Sequence, residues 1–194
     1  MMLENLKKYN IVLASKSPRR QELMKGIGLE FSVITKDVDE SYLSNMSVYD
    51  VAPFLSLKKA KAFNDEELPE NYMVITADTV VIVDDMILGK PKDEADARGM
   101  LGRISGKKHS VITGVTIRTN DKLKTFSVVS KVSFETLDQE EIDYYVNNFR
   151  PYDKAGAYGI QEWIGYIGVN HVEGSYFNVM GLPTQKLYKM LKAF

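Results

Sequence analysis

The hydrophobic positions of the chain follow two different periods. Continuous or alternating runs of apolar, β-branched residues predict strands, and apolar residues spaced i, i+3, i+4, i+7 predict helices. Because the two patterns alternate along the chain, we predict an α/β fold. The predicted strands are 10–14, 31–35, 73–77, 79–83, 109–118, 124–135 and 164–172.

Helix starts and stops are marked by proline, glycine and capping residues. A helix is predicted after Pro18, which fits a first helical position, and it stops at Gly28. A second is predicted over about 47–63, where Pro53 either kinks the helix or marks its true start. Apolar stripes predict three more helices, around 97–104, 142–149 and 187–194.

Two long predicted strands follow each other directly, at 109–118 and 124–135. The polar segment 119–122 between them is short enough to be a turn, so the pair predicts an antiparallel hairpin. The predicted sheet is therefore mixed rather than purely parallel.

The length of 194 residues suits one domain with a sizeable core or two small lobes, and we predict a single domain over 1–194. Residues 1–9 are polar and lack the apolar centre of a signal peptide. No apolar run approaches the roughly 20 residues of a membrane span. We therefore expect a cytoplasmic protein with no membrane partner.

Charge and reactive side chains narrow the function further. Lys and Arg number 25 against 26 Asp and Glu, which disfavours a broad basic face and a nucleic-acid partner. The absence of cysteine excludes disulfides, thiolate metal sites and a cysteine nucleophile. The two histidines, His109 and His171, are far apart in strand-like stretches, which disfavours a histidine zinc site.

The segment 13–20, Leu-Ala-Ser-Lys-Ser-Pro-Arg-Arg, combines hydroxyl and guanidinium side chains with a predicted helix start. A strand enters a hydroxyl-rich turn, Ser17 is a good helix N-cap, and Arg19 and Arg20 lie in the first helical turn. Free N–H groups and two guanidinium groups there would bind phosphate. A capped surface helix with two solvated arginines is the alternative.

Asp78 interrupts an apolar run that otherwise has the pattern of a buried strand. A buried carboxylate is costly unless it is paired, bound to a metal or placed at a strand end. A divalent-metal ligand or general base is therefore one interpretation. An Asp at a bulge or strand end, hydrogen-bonded to nearby backbone, is the other.

Other polar segments add weaker signals. Lys59 lies in a lysine-rich helix, and Lys90 ends a turn-like segment before a proline. The residues Asp37, Asp39 and Glu40 form an acidic cluster that is either a hard-cation site or a solvated loop.

A further signal comes from segment 151–161, which combines small residues with a closing amide, Gln161. Its small residues and glycines suit a backbone that approaches something closely, and an amide can both donate and accept, as base recognition requires. Together with the cations and carboxylates, this set suits hydrolysis of a nucleotide phosphoanhydride. The P-loop and dinucleotide fingerprints are missing from the sequence.

Several long motifs, in order, resemble the Maf family of nucleoside triphosphate pyrophosphatases. The resemblance covers residue 10 to the C-terminus without a large gap, and it implies that residues 1–9 are an N-terminal extension. The motifs are those at 13–20, 77–81 (Ala-Asp-Thr-Val-Val), 88–91 (Leu-Gly-Lys-Pro), 101–115, 153–161 (Asp-Lys-Ala-Gly-Ala-Tyr-Gly-Ile-Gln) and 174–183.

The resemblance implies the Maf, or ITPase-like, fold: an elongated, mixed and strongly twisted sheet flanked by helices, with a cleft between two lobes. It also implies hydrolysis of a nucleoside triphosphate to the monophosphate and pyrophosphate, with Mg²⁺ or Mn²⁺. The Ala-Asp-Thr and Gly-Ala-Tyr-Gly-Ile-Gln forms are similar to the subfamily that acts on dTTP and UTP, and differ from relatives that act on 7-methyl-GTP.

The resemblance also implies roles for single residues. Asp78 is expected to accept a proton and to bind the metal together with Asp39, which stands where relatives often have Glu. The expected specificity residues are Arg19, Thr79 and Gln161, and the expected phosphate-binding residues are Ser15, Arg19, Arg20, Lys59 and Lys90.

Two other functions fit the same residues. One is a nucleotide-binding regulator of cell division or septum formation with incidental hydrolysis, and the other is an enzyme that removes modified pyrimidine nucleotides. Relatives in the family are often dimers, so the resemblance leaves both a monomer and a homodimer open. Carboxylate ligands suit Mg²⁺ and Mn²⁺ alike.

Overall fold

A computed structural model describes residues 3–194, and their strands form one seven-stranded mixed sheet. The strand order is β2-β1-β3-β5-β6-β7, with β4 pairing β3 beside this path. The strands are β1 (Asn10–Leu13), β2 (Ser32–Val33), β3 (Tyr72–Val83), β4 (Met86–Leu88), β5 (Lys108–Arg118), β6 (Leu123–Phe134) and β7 (Val169–Glu173). The helices are α1 (Pro18–Gly26), α2 (Val51–Lys61), α3 (Glu94–Ile104), α4 (Gln139–Phe149), α5 (Trp163–Gly168), α6 (Tyr176–Met180) and α7 (Thr184–Lys192), with 3₁₀ turns at Glu4–Leu6, Asp65–Glu67 and Ala155–Ala157.

The chain divides into two compact units, and β3, β5 and β6 each contribute residues to both. The first unit comprises the described residues up to Asp78 together with Thr113–Val128 and Gly181–Phe194. The second comprises Thr79–Ile112 and Val129–Met180. The unit boundary therefore falls inside β3, directly after Asp78.

In the first unit, β1 pairs in parallel with both β2 and β3. The crossover from β1 to β3 runs through α1, β2 and α2, as parallel strands require. Gly114 of β5 faces the first turn of α2, and a Cβ built on it would lie 2.3 Å from the backbone nitrogen of Pro53. Only glycine therefore permits this close packing of helix on strand.

In the second unit, β4 pairs antiparallel with β3, and β7 pairs antiparallel with β6. β3 turns into β4 through Asp84 and Asp85, which both have positive φ, as the tight turns of two-residue hairpins require. The N-terminus of α4 carries a capping box in which Asp138 accepts a hydrogen bond from the Glu141 N–H and the Glu141 carboxylate accepts one from the Asp138 N–H.

His109 of β5 is buried in the core of the second unit. Its Nε2 atom lies 2.8 Å from the Tyr158 hydroxyl oxygen, and its ring packs against Tyr158 and Phe134. Within residues 3–194, Nδ1 has no hydrogen-bond partner. Burial lowers the pKa of His109 from 6.5 to about 4, so the ring is neutral at physiological pH.

The free energy of unfolding is expected to fall as the pH drops through the range between the two pKa values of His109. In that range His109 is protonated in the unfolded chain and neutral in the folded protein. The lowered pKa therefore corresponds to a decrease of about 3 kcal/mol in the free energy of unfolding. Urea unfolding of wild type and His109→Gln at several pH values measures this. The variant should lose this part of the pH dependence, and His171→Gln, at an exposed position, should keep it. Equal pH dependence in all three proteins would contradict the prediction.

Most predicted elements are confirmed, and three are corrected. The predicted strands 73–77 and 79–83 are one continuous strand, β3, with Asp78 inside it. The predicted strand 164–172 begins instead as helix α5, and only its second half is β7. Helix α2 begins at Val51, so Pro53 lies in the first turn, where no intrahelical hydrogen bond is lost.

The two ends of the first unit meet in a contact that the sequence does not indicate. Asn5 donates a hydrogen bond from Nδ2 to the Leu191 carbonyl oxygen at 2.9 Å, and Leu6 is buried. Part of the predicted extension 1–9 therefore packs against α7, while residues 1 and 2 lie outside the described range. Among the described helices, none has the length and apolarity needed to cross a membrane.

Candidate active site

The turn between β1 and α1 is organised by the hydroxyl of Ser15. Ser15 is buried, and its Oγ atom accepts hydrogen bonds from the Ser17 N–H at 3.3 Å and from Nη1 of Arg20 at 3.4 Å. Ser17 occupies the N-cap position as predicted, but its side chain makes no capping hydrogen bond. The hydroxyl that stabilises this turn is therefore that of Ser15, whereas the sequence predicts this role for Ser17.

Arg20 is held in place by backbone carbonyl groups. Nε donates to the Gly181 oxygen and Nη1 donates to the Ala77 oxygen, both at 2.8 Å. Burial lowers the pKa of Arg20, and the charge of Asp78 raises it. Since an arginine stays protonated in proteins, these contacts fix a positive charge beside the strand position of Asp78.

Asp78 is buried and forms an ion pair with Lys59. The Nζ atom of Lys59 lies 2.6 Å from Oδ1 of Asp78 and 2.7 Å from Oε1 of Glu40. The Lys59 side chain is 17% exposed, so one partly buried ammonium group joins two carboxylates. Asp78 lies inside β3, away from both ends of the strand, and its carboxylate is paired with Lys59, as a buried carboxylate requires.

Asp39 lies apart from this pair, in an exposed loop. Its carboxylate accepts hydrogen bonds from the Ser41 hydroxyl and N–H and from Nζ of Lys58 at 3.0 Å. Those contacts, with the Ser41 hydroxyl contributing most, lower the pKa of Asp39 to about 2. Glu40, rather than Asp39, is thus the acidic residue that shares Lys59 with Asp78.

The sequence named the acidic cluster but could not choose between its neighbours. Both carboxylates contact lysines of α2, so a difference of one position along the loop decides which of them reaches the lysine that also pairs with Asp78. On the helix, Lys58 binds Asp39, and the next residue, Lys59, binds Glu40. The metal role predicted for Asp39 stays a prediction.

The carboxylates of Asp78 and Glu40 supply the oxygen ligands that Mg²⁺ and Mn²⁺ prefer. No group of three or more His, Cys, Asp or Glu side chains among residues 3–194 is arranged to hold a metal ion. Two carboxylates fit a magnesium-type ion that takes its remaining ligands from water and substrate phosphates. The ammonium of Lys59 already bridges the two carboxylates, as a cation would.

The second unit contains the other predicted site residues, Thr79, Lys90 and Gln161. Thr79 follows Asp78 on β3 and is half-buried, and Lys90 is exposed. The Gly156 N–H donates to the Gly89 oxygen at 3.0 Å, which joins the turn that carries Lys90 to the segment that ends in Gln161. Here the structure brings together two motifs that are distant in the sequence, at 88–91 and 153–161.

The side-chain oxygen of Gln161 is a hydrogen-bond acceptor that no described residue donates to. Its Oε1 atom is buried and, among the described residues, has no hydrogen-bond partner. A buried acceptor left in this state costs about 1–3 kcal/mol, so the arrangement favours a ligand that supplies an N–H group. The imide N–H of a uracil or thymine ring is such a donor.

In the first unit, Ser15 contacts Arg20, and Lys59 joins Asp78 to Glu40. In the second unit, the segments that carry Lys90 and Gln161 are joined by a backbone hydrogen bond. A model of the Maf family, described as Maf-like protein, matches residues 10–194. The chain belongs to the Maf family. Its relatives named dTTP/UTP pyrophosphatase include one from Phocaeicola vulgatus, 50% identical over 98% of this chain and 99% of the relative. Another, from Bacteroides fragilis, is 52% identical over the same shares.

Solved structures extend this likeness to the fold. The Ham1 protein of Staphylococcus aureus matches with a TM-score of 0.52 and 18% identity, over 95% of this chain and 98% of that one. A HAM1 protein from Coxiella burnetii matches with a TM-score of 0.51 and 14% identity, over 96% and 100% of the two chains. The prediction of a mixed α/β fold of the Maf, ITPase-like type is confirmed.

Proposed function

We propose that this Maf-family chain is a nucleoside triphosphate pyrophosphatase that hydrolyses dTTP and UTP to the monophosphate and pyrophosphate. The observation that carries the proposal is identity of about half the residues, over nearly the full length, with relatives named dTTP/UTP pyrophosphatase. The connected charges around Asp78 supply groups suited to this reaction.

In the proposed reaction, water attacks the α-phosphorus and Asp78 accepts its proton. The bond between the α-phosphorus and the oxygen that bridges to the β-phosphorus breaks, and its electron pair leaves with pyrophosphate. Lys59 and Arg20 offset the negative charge that develops on the phosphate oxygens. Ser15, Arg19 and Lys90 are the further phosphate-binding residues of this proposal.

A divalent cation, Mg²⁺ or Mn²⁺, would supply Lewis-acid stabilisation of the phosphate charge when it is bound. Glu40 and Asp78 are the residues that would hold it. In the proposed complex, Lys59 exchanges its carboxylate partners for substrate phosphate oxygens. Glu40 is our proposal for this role beside Asp78, and Asp39, to which the family resemblance gives the role, is the alternative.

A matched pair of variants tests the choice between the two acidic neighbours. Glu40→Gln is expected to weaken Mn²⁺ binding by on the order of tenfold, because it removes one of two charged ligands. Asp39→Asn is expected to leave binding unchanged, since its partners are Ser41 and Lys58. Electron paramagnetic resonance of free Mn²⁺, with a non-hydrolysable dTTP analogue present, measures both. Weaker binding in Asp39→Asn alone would restore the original assignment.

Base selection is assigned to Gln161, with Thr79 and Arg19 as the other specificity residues. The buried Oε1 atom of Gln161 accepts from the N3–H of uracil or thymine, whereas cytosine presents an acceptor at N3 and leaves Oε1 unpaired. A modified pyrimidine that keeps the imide N–H passes the same selection.

The nucleotide is the partner that this function requires. We propose a cytoplasmic location, where nucleoside triphosphates are made and used, and neither nucleic acid nor a membrane as a partner. A homodimer and a monomer are both compatible with the proposed chemistry.

The products of dTTP hydrolysis in ¹⁸O-labelled water test the reaction. Attack at the α-phosphorus predicts labelled dTMP and unlabelled pyrophosphate, which ³¹P nuclear magnetic resonance resolves. Formation of dTDP and inorganic phosphate would place the attack at the γ-phosphorus and contradict the proposal. Tight binding of dTTP without turnover would favour the nucleotide-binding regulator instead.

A further inference from the structure

Gln161 sits at the third position of a tight turn. The Glu162 N–H donates to the Gly159 carbonyl oxygen at 3.0 Å, so residues 159–162 form a four-residue β-turn with Ile160 and Gln161 at its centre. The conformation of this turn decides where the buried Oε1 atom of Gln161 points.

The Tyr145 hydroxyl binds both ends of that turn. It accepts a hydrogen bond from the Gly159 N–H at 3.0 Å and donates one to Oε2 of Glu162. The side chain is fully buried in α4 and its ring stacks on Phe149. Burial, reinforced by Glu162, raises the pKa of Tyr145, so the hydroxyl keeps the proton that it donates.

Glu162 is held from a second side by a buried cation. Its Oε1 atom lies 3.0 Å from Nζ of Lys154, whose side chain is 8% exposed and which also pairs with Asp153 at 2.7 Å. A buried ion pair contributes little net stability, since desolvation offsets the attraction. Its benefit here is a fixed geometry for Glu162 and the turn.

The turn also packs closely against the side chain of Glu162. A Cβ atom added to Gly159 would lie 2.9 Å from Oε2 of Glu162, which is closer than ordinary side-chain contacts. Tyr145, Glu162 and Lys154 therefore fix a turn whose one exceptional feature is the unpaired acceptor of Gln161.

We propose that Tyr145 and Glu162, with Lys154 as counter-ion, are positioning residues that set the base selectivity of Gln161. This inference rests on the proposed function, in which Gln161 recognises the imide N–H of uracil or thymine. The three residues hold the turn at both ends and are not required to touch the nucleotide. Their loss should change which base is accepted more than how fast the phosphoanhydride is cleaved.

Tyr145→Phe tests the proposal by removing only the hydroxyl. The ratio of kcat/KM for dTTP to that for dCTP is expected to fall on the order of tenfold, through a higher KM for dTTP and with kcat nearly unchanged. Tyr144→Phe is the matched control, because it removes the same hydroxyl from the preceding, exposed residue of α4. It should leave the ratio at the wild-type value.

Glu162→Gln is the second variant, in case the buried Tyr145→Phe change prevents folding. The Glu162 side chain is 22% exposed, and the amide removes the charge that Lys154 pairs with. The same loss of selectivity is expected. A merely structural role would lower the melting temperature, or would lower activity on both substrates equally, without changing the ratio. An unchanged ratio of kcat/KM for dTTP to that for dCTP in both variants overturns the proposal.

Calorimetric binding of dTMP and dCMP separates this inference from the proposed function. If the wild-type protein discriminates between dTMP and dCMP but does not hydrolyse dTTP, the proposed function is contradicted. The positioning role of Tyr145 and Glu162 is then decided by whether their variants lose this discrimination in binding. Wild type that hydrolyses dTTP, with variants that keep full base discrimination, contradicts the positioning alone. Wild type that binds both monophosphates equally overturns the positioning directly.

Discussion

Replacement of Asp78 by Asn is expected to lower kcat for dTTP by on the order of a thousandfold. The amide keeps an oxygen that can accept from Lys59, whose Nζ atom lies 2.6 Å from Oδ1 of the wild-type carboxylate. The fold and the contact with Lys59 should therefore survive, and a saturating concentration of Mg²⁺ offsets the weaker metal binding that loss of this carboxylate causes. The amide cannot take a proton from water, so the step assigned to Asp78 is lost.

Pyrophosphate release measures this effect, with thermal melting to confirm the fold. Asp84→Asn is the matched control, because Asp84 follows β3 directly and is exposed, so the same charge is removed outside the site. It should have the wild-type kcat. If Asp78→Asn retains activity near that of wild type, Asp78 is not the general base.

Gly114→Ala is expected to destabilise the protein by about 3 kcal/mol or more. The added Cβ atom would lie 2.3 Å from the Pro53 nitrogen and 2.4 Å from the Ala52 carbonyl oxygen. Backbone atoms cannot rotate away, so α2 must move from β5. Because α2 also carries Lys59, activity should fall together with stability.

Urea unfolding of Gly114→Ala against Gly102→Ala checks the prediction. A Cβ atom at Gly102, in α3, meets nothing within 4 Å. Alanine there should leave stability unchanged or raise it by about 0.5–1 kcal/mol, since it has the higher helix propensity. Similar stability of the two variants would mean that α2 and β5 tolerate the separation.

The fold could be predicted where the hydrophobic period is long and unambiguous. The neighbouring strands β5 and β6 and the apolar stripe of α4 satisfy this condition. Residues 164–172 do not, because Ile164 and Ile167 fit both a strand and a helix, and tertiary packing decides between them. The close contact of Gly114 with α2 is long-range and has no local signal.

The candidate site was only partly predictable. Asp78 stood out because a carboxylate in an apolar strand demands a partner. That Lys59 is its partner depends on how α2 packs, and the choice of Glu40 over Asp39 depends on the path of a loop. The positioning role of Tyr145 could not be predicted, because its place in the apolar stripe of α4 is explained by core packing alone.

The most direct test of the account is pyrophosphate release from a panel of nucleoside triphosphates with Mg²⁺ or Mn²⁺. The panel contains dTTP, UTP, 5-methyl-UTP, CTP, ITP and 7-methyl-GTP. We predict fast turnover confined to dTTP, UTP and 5-methyl-UTP, the members that present an imide N–H on a pyrimidine ring. Turnover of 7-methyl-GTP or CTP at the same rate, or binding across the panel without turnover, would contradict the account.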